Sequence, residues 1–244
     1  SNLYNTNLSG ADLSHTQINK AKVANTNFTY ANLSYADLSS VQYKFGTSFI
    51  QDSGIEYDED TDRWTVAHFY DIVTFDFTGA DLSHADLNHA FLANADLTDA
   101  TLRYTNFHDT NLTNVDLSGK DLTGTILTGA DLSYTNLADV NLYGKDLTDT
   151  ILTGANLSNT NLAGNDLTGM ILSGMDLSYA NFAGVDLSGK DLTETILRGA
   201  DLTDANLTGV DLSGKDLTNA ILTGVDLSGK DLTGMILTGA DLTD

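Results

Sequence analysis

The chain has 244 residues, 41% of them hydrophobic, with no proline and no cysteine. Its 34 acidic and 11 basic residues leave a formal net charge of −23 at pH 7, which argues against direct nucleic-acid binding, because phosphate recognition needs clustered lysine and arginine. A basic partner fits better than an acidic one. The absence of cysteine excludes disulfides and thiolate metal sites and leaves the compartment open, with the cytoplasm slightly favoured. No apolar run reaches the roughly 20 residues of a membrane span and no charged-then-apolar leader is seen, so the chain reads as soluble.

Residues 1–43 carry an apolar residue at every fifth place: Leu3, Leu8, Leu13, Ile18, Val23, Phe28, Leu33 and Leu38. Between Tyr43 and Ile72 this pattern stops, and Phe77 follows Leu38 by 39 residues, which is not a multiple of five, so 44–74 is a true insertion. The insertion holds the only tryptophan, and Asp58, Glu59, Asp60, Asp62, Arg63 and Trp64 form a candidate interaction loop. Asp58, Asp60 and Asp62 alternate as in a calcium loop, but Arg63 stands where such a loop needs glycine and no glutamate closes it. The plainer expectation is a solvated loop with Trp64, Phe69 and Tyr70 folded back over the coil. From Phe75 to Asp244 the five-residue period returns for 34 centres, 31 of them Leu and three Phe, in the unit A-(D/N)-L-(S/T)-x.

A period of five matches neither the 3.6 of a helix nor the 2 of a strand, so the chain must turn every five residues to keep the Leu row buried. The first and third residues of each unit then face a lumen and the second faces solvent. Successive coils stack at about 4.8 Å with their backbones paired, and each buried Leu contributes roughly 1.5–3 kcal/mol against chain entropy.

This repeat resembles the pentapeptide-repeat family over about nine-tenths of the chain. The resemblance implies an all-β fold, a right-handed quadrilateral parallel β-helix, or solenoid, with four pentapeptides and about 20 residues per coil. One interior ladder would then run Leu82, Leu102, Leu122, Leu142, Leu162, Phe182, Leu202, Leu222 and Leu242. Residues 75–244 make a main β-helix of about 8.5 coils and roughly 40 Å, and residues 1–43 add about two N-terminal coils, all one continuous solenoid.

Two departures stand out. Lys120, Lys145, Lys190, Lys215 and Lys230 occupy the first, inward position, each after a glycine, with Ile126, Ile151, Ile196, Ile221 and Ile236 six residues on at the outward position. An unpaired buried ammonium is costly, so the expectation is that each stem runs outward with its head in water and an Ile beneath it. Where these units recur at 25 residues they trace a spiral and not a flat recognition face.

No catalytic, cofactor-binding or metal residues are expected. A Leu-filled lumen offers no concavity, and Ser and Asp recur because the repeat demands them. His15, His68, His84, His89 and His108 are scattered, and His84 with His89 makes an awkward metal pair. Sequons such as Asn206-Leu207-Thr208 follow automatically from the repeat. Of the 34 outward positions, 18 are Asp, so columns such as Asp146-Asp166-Asp186 and Asp191-Asp211-Asp231 stack like charges.

The reading is therefore a non-enzymatic structural rod that binds an unidentified protein partner. The resemblance adds an alternative, a DNA-mimicking binder of DNA gyrase or topoisomerase of the quinolone-resistance type. A further alternative is a spacer segment of a longer surface protein, since the chain starts at Ser1 and ends at Asp244 inside repeats and is expected to extend further. Uncapped ends would allow end-to-end self-association.

Overall fold

A computed structural model describes residues 3, 6–19, 26–34, 36–39, 55–58, 63–66 and 75–243. Each pentapeptide is a short extended side followed by a turn. The amide of Ala11 donates to Leu8 O at 3.0 Å, that of Ala85 to Leu82 O at 2.9 Å, and the same bond closes successive units along the rod. The third residue of each turn has positive φ, 57° at His15 and 60° at Asn94, the mark of a type II turn.

The amides of a regular unit draw acceptors from the coils on either side and from the unit itself. The outward Asn27 donates to Thr6 O at 3.0 Å in the coil below, and the central Leu8 donates to Asn27 O at 2.8 Å in the coil above. The next amide is held by the outward side chain itself: Ser14 N donates to Asp12 Oδ1 at 3.1 Å and Thr78 N to Asp76 Oδ1 at 3.0 Å. The turn's third amide reaches the coil above, Gly10 N to Thr29 O at 2.9 Å. This accounts for Asp or Asn at the second position.

Parallel bridges join residues 20 apart, Asp76 to Asp96 and Asn136 to Asn156 among them, so four pentapeptides make one coil of a quadrilateral β-solenoid. Small first residues and central Leu or Phe fill the interior: Ala80, Leu82, Phe107 and Phe182 are fully enclosed. Thr105 and Thr160, also inward, donate their hydroxyls to Leu82 O and Leu137 O in the coil below at 2.8 and 2.9 Å. From Val225 onward the interior residues are only partly covered, and Leu242 is 49% exposed.

The insertion does not break the wall. Asn27, Asn32 and Asp37 bridge Asp76, Asp81 and Asp86, a step of 49 residues in place of 20, so the chain re-enters in phase. Phe28 stacks on Phe77 across the join, ring centroids 5.2 Å apart. Within the insertion, β1 (Ile55–Asp58) pairs antiparallel with β2 (Arg63–Val66).

The lysine expectation is corrected by the structure. Lys145 Nζ does not run to solvent but lies on the carbonyls of Leu122, at 2.5 Å, and Thr125, at 3.2 Å, in the coil below. Lys190 reaches Leu167 O and Met170 O, Lys230 reaches Leu207 O and Val210 O, Lys120 reaches Ala100 O and Lys215 reaches Leu192 O. Thr125 O, Met170 O, Val210 O and Ala100 O are the acceptors that the amides of Asp146, Asp191, Asp231 and Asp121 would use in the regular wall, and none of these four amides makes its ladder bond. The ammonium thus occupies a carbonyl that a ladder amide would otherwise use, although the ladder bond is also missing at Asp116 and Asp186, which follow valines. Partial burial of the head pushes the Lys145 pKa down, opposed by nearby Asp121. The outward isoleucines Ile126, Ile151, Ile171, Ile196, Ile221 and Ile236 are exposed.

Candidate functional site

Because the second residue of each unit points outward, coils in register turn it into columns on flat walls. Asp146, Asp166 and Asp186 form one such column and Asp191, Asp211 and Asp231 another, on adjacent walls, the second beginning in the coil where the first ends, all exposed. Their carboxylates are held below the ordinary range. For Asp166, Asp191 and Asp231 the first cause is a hydrogen bond from the threonine hydroxyl two residues on, and for Asp186 it is the amide of Ser188. Neighbouring charge works against this, Asp166 raising Asp186 and Asp211 raising Asp231, but does not overcome it. These columns are therefore ionised at neutral pH. A shallow open cleft between coils at their C-terminal end is lined by Asp211, Asp226, Lys230 and Asp231.

The interior ladder from Leu82 to Leu222 is buried. Of the candidate loop, Asp58 lies in β1 and Arg63 and Trp64 in β2, while Glu59, Asp60 and Asp62 lie outside the described residues, as do Phe69 and Tyr70. The calcium reading of Asp58, Asp60 and Asp62 falls outside them too.

The histidines are less scattered than their spacing suggests. His84 stacks on Tyr104 with centroids 4.7 Å apart, and Arg103 lies 5.8 Å from the Tyr104 ring. His89 Nδ1 stands 3.4 Å from Asp109 Oδ2, and His108 Nε2 stands 3.2 Å from the same oxygen. Adding one 20-residue coil to His89 arrives at Asp109, the signal that would have found the cluster.

A solenoid of stacked five-residue units with a filled interior and columns of outward side chains is a protein whose chemistry lies on its walls and corners. The Pentapeptide repeats profile matches eight copies over residues 6–41, 76–114, 105–144, 141–178, 176–214 and 216–244. The chain belongs to the pentapeptide-repeat family. Among solved structures it is similar to HetL, a pentapeptide repeat protein involved in heterocyst differentiation regulation from the cyanobacterium Nostoc sp. strain PCC 7120, at 32% identity over 99% of this chain and 84% of that one, TM-score 0.25. It is also similar to QnrB1, a plasmid-mediated fluoroquinolone resistance protein (17% identity, 95% and 90% covered, TM-score 0.29). A third is Rfr23 from the cyanobacterium Cyanothece 51142 (21% identity, 78% and 89% covered, TM-score 0.24). No curated protein matches the chain. Among the described residues no helix is long and apolar enough to cross a membrane.

Proposed function

We infer that this protein is a non-enzymatic interaction rod, wound in the right-handed sense that the family resemblance implies, whose acidic walls engage a basic surface on a protein partner. The observation that carries this reading is the pair of carboxylate columns, Asp146-Asp166-Asp186 and Asp191-Asp211-Asp231, on adjacent walls around a filled interior. Catalysis needs convergent groups in a concavity, and the packed Leu interior supports a binding role instead. Acidic surfaces steer and hold partners through charge that salt screens. The test is affinity for a basic protein surface across a salt series: affinity that falls steeply with salt supports the reading, and salt-independent affinity refutes it.

The same columns favour one second reading, mimicry of the duplex phosphate backbone toward DNA gyrase, the direction in which the fluoroquinolone resistance of QnrB1 also points. Inhibition of gyrase supercoiling by the purified protein, relieved by salt, is the expected outcome on that reading. No inhibition at micromolar protein removes it and leaves another basic partner.

A further inference from the structure

The outward isoleucines are side chains that neither the turn nor the interior requires. At the same position Asp146 and Asp166 accept the amides of Thr148 and Thr168 at 3.0 and 2.9 Å, whereas an isoleucine offers that amide no acceptor. Each outward isoleucine therefore gives up a turn bond and gains little burial. Ile151 and Ile171 are 48% and 64% exposed, and they stand 20 residues apart, on the same wall in consecutive coils. Of the exposed isoleucines named above only these two are stacked. A contiguous apolar pair in water, unlike a singly scattered residue, marks an interaction surface.

Carboxylates border this pair. Above it the same wall continues as Asp191, Asp211 and Asp231, and across the corner lie Asp146 and Asp166 in the same two coils, all exposed. The cations of this wall do not neutralise its outer surface. Lys190 Nζ turns inward onto Leu167 O and Met170 O, and Lys230 Nζ onto Leu207 O and Val210 O. An apolar pair bordered by carboxylates complements a partner that carries an apolar anchor with lysine or arginine beside it.

The spacing selects the partner's backbone. Bridges from Asn141 to Asn161 to Asn181, and from Asn156 to Asp176, hold these coils at the inter-strand rise on the other walls, about 4.8 Å per coil. An α-helix laid along the rod presents one side chain per turn at about 5.4 Å, whereas an extended chain presents same-face side chains about 6.6 Å apart. Over the four steps from Ile151 to Asp231 the helix drifts out of register by about 2.4 Å and the extended chain by about 7 Å, and a flexible lysine or arginine stem absorbs the first but not the second. We propose that this wall docks a basic amphipathic α-helix of a partner protein, lying along the rod. Two apolar side chains one turn apart sit on Ile151 and Ile171, and lysine or arginine on the next three turns faces Asp191, Asp211 and Asp231. The proposal rests on the acidic-wall reading above and names the kind of partner that reading leaves open.

The test uses the full chain and three synthetic helical peptides of about 18 residues: one with two leucines and then three lysines along one face, an isomer with the leucines moved to the opposite face, and a version with alanine for both leucines. Fluorescence anisotropy across a salt series measures each. The first peptide is expected to bind more than about tenfold more tightly than the other two, and Ile151→Asn combined with Ile171→Asn to remove that advantage. Asparagine at both positions supplies the acceptor of the regular turn, as Asn156 does for the Ser158 amide at 3.0 Å, so thermal melts are expected to stay level or rise. Ile221→Asn, on the opposite wall, is expected to leave binding unchanged. Salt-sensitive binding that is equal for all three peptides, or unchanged in the double variant, overturns the helix-docking proposal and leaves the acidic-wall reading standing. No salt-sensitive binding of any peptide overturns both.

Discussion

Gly124 tests how the corners are packed. Among the described residues, seventeen non-glycine residues occupy corners of positive φ, so the turn alone does not demand glycine. At Gly124, with φ of 70°, an added Cβ would lie 2.1 Å from Tyr104 Cδ1 in the coil below, because the Tyr104 ring lies flat over that glycine. Gly124→Ala therefore incurs left-handed strain of roughly 1–2 kcal/mol, and it also displaces a ring that stacks on His84 at 4.7 Å, an aromatic pair that contributes about 0.5–1.5 kcal/mol. The expected total is about 2–3 kcal/mol. Gly119 supplies the control: its φ is 62° and nothing lies within 4 Å of its added Cβ, so Gly119→Ala incurs strain alone. Urea denaturation of both variants, and of each in a Tyr104→Ala background, forms a double-mutant cycle. A coupling of about 1 kcal/mol between positions 104 and 124, and none between 104 and 119, is expected. Equal destabilisation by the two alanines, or zero coupling at 124, refutes the account.

Leu162 is fully buried in mid-rod, so Leu162→Ala is expected to lose about 2–5 kcal/mol, whereas Leu242→Ala, at a site 49% exposed, loses far less; calorimetric melts compare them. Lys145→Thr replaces the ammonium with the residue found inward at Thr105 and Thr160, and the Asp146 amide is then expected to bond Thr125 O, slowing its hydrogen exchange by about fivefold, the worth of one hydrogen bond near 1 kcal/mol. Unchanged exchange at Asp146 would show that the lysine is not what opens the wall. The acid side of the stability profile follows from the depressed pKa values of Asp121, Asp166, Asp191 and Asp231. A carboxylate whose folded pKa lies below its unfolded value near 3.9 contributes stability above that value and loses it as pH falls through the folded pKa. Melting temperature is thus expected to hold from pH 7 to about 5 and to drop below about 4; a flat profile down to pH 2.5 contradicts it.

The wall was readable where a residue does its work within its own repeat. Leu82 needs a turn every five residues to stay buried, and that alone predicts inward first and third positions and an outward second. What depends on the coil above or below was less visible. The phase of the insertion lies in the 49-residue step from Asn27 to Asp76, which only a known coil length reveals. For Lys145 the cost of burial argues for an exposed head, while the sequence does not show that the coil below offers two carbonyls to receive it. The His89, His108 and Asp109 corner was hidden for the same reason, its members being 19 and 20 residues apart and adjacent only after stacking.

The acidity exceeds what the turn requires. Asn206 Oδ1 accepts the Thr208 amide at 3.0 Å just as Asp186 Oδ1 accepts that of Ser188 at 3.0 Å, so an uncharged side chain closes the unit equally well. Asn also bridges coils without repulsion, Asn156 Nδ2 donating to Asn136 Oδ1 at 3.0 Å. The chain uses this option selectively. Asn141, Asn161 and Asn181 make one neutral column, while Asp146-Asp166-Asp186 and Asp191-Asp211-Asp231 are charged throughout. Stacked like charges destabilise a sheet, so a charge the fold does not need has its rationale outside the fold. Replacing Asp166, Asp186, Asp191 and Asp211 with Asn keeps every turn bond, so it should leave stability level or raised while weakening a basic partner. Partner affinity unchanged by that replacement would move the binding surface off these walls.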